Sequence, residues 1–123
     1  MAAALAITPH EVSLRLPRGL RSTGMAIGAW RGRSGRRYVV GIHPLVASEI
    51  DDLGDAVLLA VYRDPLGHSL LVDVAAADDI DVPAFVAEAI SAGATELHAH
   101  RLAETLADRR ALVSDLLNLR EAA

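Results

Sequence analysis

Apolar and polar residues alternate in short runs along the first part of the chain. Residues 11–16 alternate strictly and are closed by Pro17, a pattern typical of a β-strand. Residues 25–30 and 37–42 predict two further strands. The residues between these two strands have the composition of a hairpin turn, and the relevant ones are Gly32, Ser34 and Gly35.

Two longer apolar runs follow, at residues 55–62 and 69–74. The segment between them contains Asp64, Pro65 and Gly67, which predicts a second hairpin. Nearly every position of both runs is apolar. We therefore expect this hairpin to lie in the centre of a sheet.

The second half of the chain changes to helical spacing. Asp81 is a candidate N-cap, Pro83 suits the first turn, and Gly93 is a candidate stop. Residues 95–100 return as a strand. Thr105 and Asp108 have the spacing of a capping box, and they precede a final helix with apolar stripe residues Leu112, Val113, Leu116 and Leu117.

These elements predict an α+β fold in the order βββββαβα. We expect a mostly antiparallel sheet of about five to six strands, with two helices in the C-terminal half. The length of 123 residues and the absence of a long linker favour one domain over residues 1–123, with residues 1–10 as a flexible N-terminus.

Composition narrows the classes of function. The chain has no cysteine, which excludes disulfides and thiolate chemistry, and its 52% apolar residues argue against disorder. All twelve basic residues are arginine, a bias that favours a GC-rich bacterial genome over a chemical cause. No signal sequence or membrane-spanning run is evident, so we expect a cytoplasmic location.

Charge is divided unevenly along the chain. Up to residue 45 there are seven arginines and one acid, a balance of +6, whereas the rest has five arginines and fifteen acids, a balance of −10. This division is compatible with one basic and one acidic face, and thus with self-association. Well-solvated surfaces on both halves are the simpler alternative.

Glu96, His98 and His100 alternate with apolar residues on the predicted strand 95–100. Side chains two residues apart on a strand share a face, so these three residues could bind Zn²⁺ or another divalent ion. His43 or His68 could supply a fourth ligand. The alternative is a strand whose polar face points to solvent.

Four arginines surround the first hairpin turn, with an aromatic residue at each end. Basic groups beside aromatic rings can grip a phosphate backbone and stack on bases. The candidate nucleic-acid-binding residues are Trp30, Arg31, Arg33, Arg36, Arg37 and Tyr38. The alternative is a charged hairpin that blocks edge-to-edge aggregation.

Catalytic groups are harder to find. Neither Ser34 nor Ser48 lies in a nucleophile motif, and the chain has no lysine to complete a phosphate loop. Neighbouring acids at positions 51–52 and 78–79 are expected to solubilise loops and not to form a general acid–base pair. We expect no cofactor.

The order of several short segments resembles the GIY-YIG nuclease-like domains, over residues 30–118. These segments are GRSGRRY at 32–38, PL at 44–45, DAV at 55–57 running into YRD at 62–64, LLV at 70–72, GATELHAH at 93–100, and Arg110 with DLL at 115–117. The resemblance implies a nuclease-like fold of bacterial origin.

The resemblance also implies that the nuclease residues are lost. Leu58 stands where the family has its first tyrosine, and Leu71 and Asp73 replace the second tyrosine and its glycine. No arginine occurs in residues 75–84, and Val113 replaces the metal-binding glutamate. Leucine and valine cannot activate a nucleophile or hold a cation.

We therefore expect no enzymatic activity. The leading hypothesis is a non-catalytic interaction or regulatory module that binds protein, either a second copy of itself or another partner. The alternatives are a nucleic-acid-binding protein that uses the hairpin 31–37, and a metal-binding protein or enzyme that uses Glu96, His98 and His100. No membrane partner is expected.

Overall fold

The computed structural model describes residues 8–12, 26–45 and 54–117. Within these ranges the strands form one antiparallel sheet, and two helices lie in the C-terminal half. The strands are β1 His10–Val12, β2 Ile27–Arg31, β3 Arg37–Pro44, β4 Val57–Arg63, β5 Ser69–Ala76 and β6 Glu96–His100. The helices are α1 Val82–Ser91 and α2 Leu106–Leu116, and a short 3-10 turn spans Ala77–Asp79. The α+β class and the order βββββαβα are confirmed.

The strands lie in the order β1-β2-β3-β6-β4-β5, and every neighbouring pair is antiparallel. β6 is thus inserted between the two hairpins. The sheet curls, so that β1 approaches β5. The expectation of a central second hairpin holds for β4 but is wrong for β5, which is a terminal strand of the described sheet.

β5 is apolar because both of its faces are covered. A bulge beside Ala60 and Val61 inserts one extra residue into β5, so Leu71 and Val74 both reach the α2 side of the sheet. Val72 and Ala75 pack on the α1 side. Residues on both faces are therefore buried or partly buried, although one edge of β5 has no neighbour among the described strands.

Each face of the sheet carries its own apolar core. The core on the α1 side contains Leu58, Ala60, Leu97 and Ala99 with Phe85 and Ala89 of α1. The core on the α2 side contains Trp30, Tyr38, Val40, Val57, Leu59, Val61 and Val74 with Leu112 and Leu116 of α2. The apolar stripes of the two helices thus seal opposite faces of one sheet.

The predicted helix ends agree with the structure. The Asp81 carboxylate accepts a hydrogen bond from the Ala84 N–H at 3.2 Å, and the Thr105 hydroxyl accepts one from the Asp108 N–H at 3.1 Å. Gly93 follows α1 with a φ of +100°, a left-handed conformation that glycine adopts readily.

One N-terminal boundary differs from the prediction by a single residue. The first strand starts at His10, so residue 10 does not belong to a flexible terminus. Positions 1–7 and 13–16, on which the rest of these predictions fall, lie outside the described residues. In the described ranges no helix is long and apolar enough to cross a membrane.

Candidate functional site

The first hairpin holds two of its four arginines against backbone carbonyls. Arg31 Nη1 donates to the Gly35 carbonyl at 2.6 Å, and Arg33 Nη2 donates to the Ser114 carbonyl at 2.7 Å. Arg36 and Arg37 are exposed. Of the four arginines in the predicted basic patch, only these last two are exposed.

The two aromatic residues of that patch are buried. Trp30 is 1% exposed and its indole N–H donates to His98 Nδ1 at 2.9 Å. Tyr38 is also buried, and its hydroxyl donates to Asp115 at 2.7 Å. Burial and the neighbouring Asp115 carboxylate raise the pKa of Tyr38 to about 12. In this conformation neither ring is available to stack on a base.

Asp115 joins the first hairpin to the end of α2. One carboxylate oxygen accepts from the Ser34 N–H at 2.8 Å, and the other accepts from the Ser34 and Tyr38 hydroxyls at 2.7 Å each. A Cβ at position 32 would collide with this carboxylate, which explains Gly32. Burial opposes ionisation, but these hydrogen bonds outweigh it and lower the pKa of Asp115.

Glu96, His98 and His100 share one face of β6, as the alternation predicts. That face does not point to solvent, however, because the curled sheet encloses it. His98 is 0% exposed and His100 is 6% exposed. The alternative of a polar face that points to solvent is therefore wrong for His98 and His100, while Glu96 keeps 22% side-chain exposure.

Hydrogen bonds fix the tautomer of His98. Nδ1 accepts from Trp30, so the ring proton sits on Nε2 and is donated to the Glu96 carboxylate at 2.9 Å. Burial lowers the pKa of His98. His98 is thus a neutral connector with both nitrogens engaged.

Arg63 links Glu96 of β6 to Glu11 of β1. Its guanidinium forms two hydrogen bonds with Glu96, at 2.9 Å each, and two with Glu11, at 2.9 and 3.1 Å. The fifth N–H contact reaches the Gly67 carbonyl at 3.1 Å. Hydrogen bonding to Arg63 lowers the pKa of Glu96. We call Glu11, Trp30, Arg63, Glu96 and His98 the interior polar chain.

The three candidate metal ligands do not form a ligand set. Among the described residues no three histidine, cysteine, aspartate or glutamate side chains are arranged to hold a metal ion. His68 pairs with Asp64 on the surface, at 3.1 Å. Glu96 and His98 instead bond to each other, and His100 Nδ1 lies 2.7 Å from the Val39 carbonyl.

The positions that the nuclease resemblance marks as replaced do not meet at one place. Leu58 is buried in the core on the α1 side, whereas Leu71 and Val113 pack on the α2 side. Asp73 is exposed, and its carboxylate accepts from the Val74 N–H at 2.8 Å. These residues serve packing and local backbone geometry.

The acidic pair 78–79 is structural. Asp78 forms two hydrogen bonds with Arg109, at 2.8 and 2.9 Å, and Asp79 forms two with Arg110, at 3.0 and 2.6 Å. These pairs tie the 3-10 turn to α2. The expectation that both acids merely solubilise a loop is wrong.

The β4–β5 hairpin presents exposed apolar side chains that sequence reasoning missed. Tyr62 and Leu70 are directly opposite each other, and they are 39% and 64% exposed. Leu66 in the connecting turn is 82% exposed. We call these three residues the hairpin patch. Its sequence signal, a leucine inside a turn, is weak.

The turn that carries Leu66 is well ordered by hydrogen bonds. One Asp64 oxygen accepts from the backbone N–H groups of Leu66 and His68, at 2.9 and 2.8 Å. Arg63 also donates a hydrogen bond to the Gly67 carbonyl of this turn. The interior polar chain therefore braces the hairpin patch.

An open cleft of about 860 Å³ lies at the other end of β6. It is bounded by the first hairpin turn, the end of β6 and α2. Its polar lining includes Arg36, Tyr38, His100, Asp108 and Asp115, and its apolar lining includes Leu102, Ala111 and Leu112. The cleft shares no residue with the hairpin patch.

Comparisons with protein-family models, curated proteins and solved structures find no match to this chain.

Proposed function

We propose that this chain is a non-catalytic interaction module that self-associates through the hairpin patch. The observation that carries the proposal is the exposure of Tyr62, Leu66 and Leu70 on one ordered hairpin. Apolar side chains grouped in this way are typical of contact sites, whereas single exposed leucines are ordinary.

The bracing of the turn supports a binding role. Association costs less conformational entropy when the contact residues are already held in place. Asp64 and Arg63 fix the backbone around Leu66 by four hydrogen bonds, the last of them through the His68 ring.

The charges of the hairpin are compatible with a second copy as the partner. Asp64 is paired with His68 and with backbone N–H groups, so the patch brings no unpartnered acid into an apolar contact. A two-fold axis through the patch would set the same residues of each copy against one another.

The non-catalytic part of the proposal is supported by the interior polar chain. Its imidazole, carboxylates and guanidinium bond to one another, and the ring of His98 is sealed from solvent. A general acid or base needs access to a substrate proton. These groups have the arrangement of a structural brace.

Sedimentation velocity over a range of concentrations tests the proposal. We expect wild-type protein to dimerise, and the double variant Leu66→Ser, Leu70→Ser to lose at least about 100-fold in dimer affinity, because each buried leucine contributes about 1.5–3 kcal/mol. The matched control is Leu102→Ser, a leucine of similar exposure outside the patch. A monomeric wild type, or equal effects of the two changes, would refute the proposal.

A further inference from the structure

The lining of the cleft includes an imidazole, that of His100, which forms a hydrogen bond through one of its two nitrogens. The His100 Nδ1 atom lies 2.7 Å from the Val39 carbonyl, which can only accept, so Nδ1 carries a proton; in the neutral imidazole Nε2 then carries a lone pair. Nε2 has no hydrogen-bond partner among the described residues. Among all described residues, the one buried side-chain polar atom without a hydrogen-bond partner is Arg33 Nε. His100 Nε2 is therefore open to the cleft that it lines.

Two charged groups of opposite sign also line the cleft without forming an ion pair. Within the described ranges, neither the Arg36 guanidinium nor the Asp108 carboxylate has a hydrogen bond or a salt bridge. The nearby carboxylate of Asp115 is different, since Ser34 and Tyr38 already donate three hydrogen bonds to it.

We propose that this cleft binds a free amino acid with an aliphatic side chain. The ligand's carboxylate pairs with Arg36, and its ammonium group donates to His100 Nε2 and Asp108. The aliphatic side chain lies on Leu102 and Leu112. Such sites are mostly apolar concave surfaces with a few polar groups that fix the ligand's orientation.

The charged groups of the cleft favour a free amino acid over a carboxylic acid or an amine, each of which carries only one charge. A carboxylic acid would leave Asp108 and His100 Nε2 without a donor, and a simple amine would leave Arg36 without an anion. Hydrogen bonds to charged groups are the stronger ones, so each missing group should weaken binding by about tenfold or more.

Three matched probes test the proposal by NMR titration of the full chain: L-leucine, 3-methylbutylamine, which lacks the carboxylate, and 4-methylpentanoate, which lacks the ammonium group. We expect leucine to bind at least about tenfold more tightly than either analogue. In Arg36→Gln leucine should fall to the affinity of the amine, and in Asp108→Asn to that of the acid.

The variants also separate binding from folding, because positions 36 and 108 are exposed. Both variants should keep the wild-type circular dichroism and melting temperature. The proposal is overturned if leucine causes no shifts at about 20 mM, if the three probes bind wild-type protein equally, or if neither variant changes the order of affinities. Self-association through the hairpin patch would stand in each case, since the two sites share no residue.

Discussion

Replacing Arg63 with methionine tests the role of the interior polar chain. Methionine keeps the aliphatic length of the side chain but removes all five hydrogen bonds, and it leaves Glu11 and Glu96 facing each other without a cation. Removing one partner of a buried ion pair costs about 3–5 kcal/mol, whereas exposed pairs contribute little.

The exposure of the three side chains sets the expected magnitude between these limits. Arg63, Glu11 and Glu96 retain 27%, 18% and 22% side-chain exposure. We therefore expect a loss of about 2–3 kcal/mol in the free energy of unfolding at pH 7. For a chain of this size the melting temperature should fall by about 10 °C.

The loss of stability in Arg63→Met should depend on pH, and the lowered pKa of Glu96 determines the direction of this dependence. A carboxylate with a lowered folded-state pKa stabilises the fold above its unfolded-state pKa, and this contribution is lost as the pH falls through the folded-state value. In Arg63→Met the main cause of this lowering is gone, so Glu96 protonates more readily. The difference from wild type should therefore be smaller at pH 4 than at pH 7.

Urea unfolding at both pH values is the assay, with Arg37→Met as the control because Arg37 is exposed. The control should stay within about 0.5 kcal/mol of wild type. A stabilising role of Arg63 is refuted if Arg63→Met matches wild-type stability at pH 7, and the role of the Glu96 charge is refuted if the deficit is the same at pH 4.

Two further predictions follow from the contacts around Asp115 and His98. Gly32→Ala should lower the free energy of unfolding by about 2 kcal/mol, because a Cβ displaces the Asp115 carboxylate and its hydrogen bonds. Gly54→Ala, with open space around the new Cβ, should have little effect in the same thermal melts. Burial lowers the pKa of His98, so below pH 7 this side chain binds a proton more readily in the unfolded chain than in the folded one. The free energy of unfolding should therefore fall by up to about 2 kcal/mol from pH 7 to 5. A His98→Gln variant that keeps the wild-type slope would contradict this.

The fold could be predicted from sequence where its signals are local. Asp81, Gly93 and Thr105 mark helix ends within a few residues, and alternation marks the strands. Strand order is not local. The insertion of β6 between β3 and β4 depends on how the two cores are covered, and this made the edge position of β5 unpredictable.

The site was less accessible to sequence reasoning for the same reason. Arg63 bonds to Glu11 and Glu96 across 52 and 33 residues of chain, and no short motif contains these three residues. The alternation of Glu96, His98 and His100 did predict a shared face. It could not show that the curled sheet turns that face inward.

NMR spectra of the wild-type protein over a dilution series test self-association through the hairpin patch most directly. Amide spectra recorded between about 1 mM and about 20 µM should report a dimer with a dissociation constant of about 100 µM or tighter. We expect shifts concentrated at residues 62–70, with α2 unchanged. Spectra that do not change on dilution, or changes confined to other parts of the chain, would contradict the proposed interface.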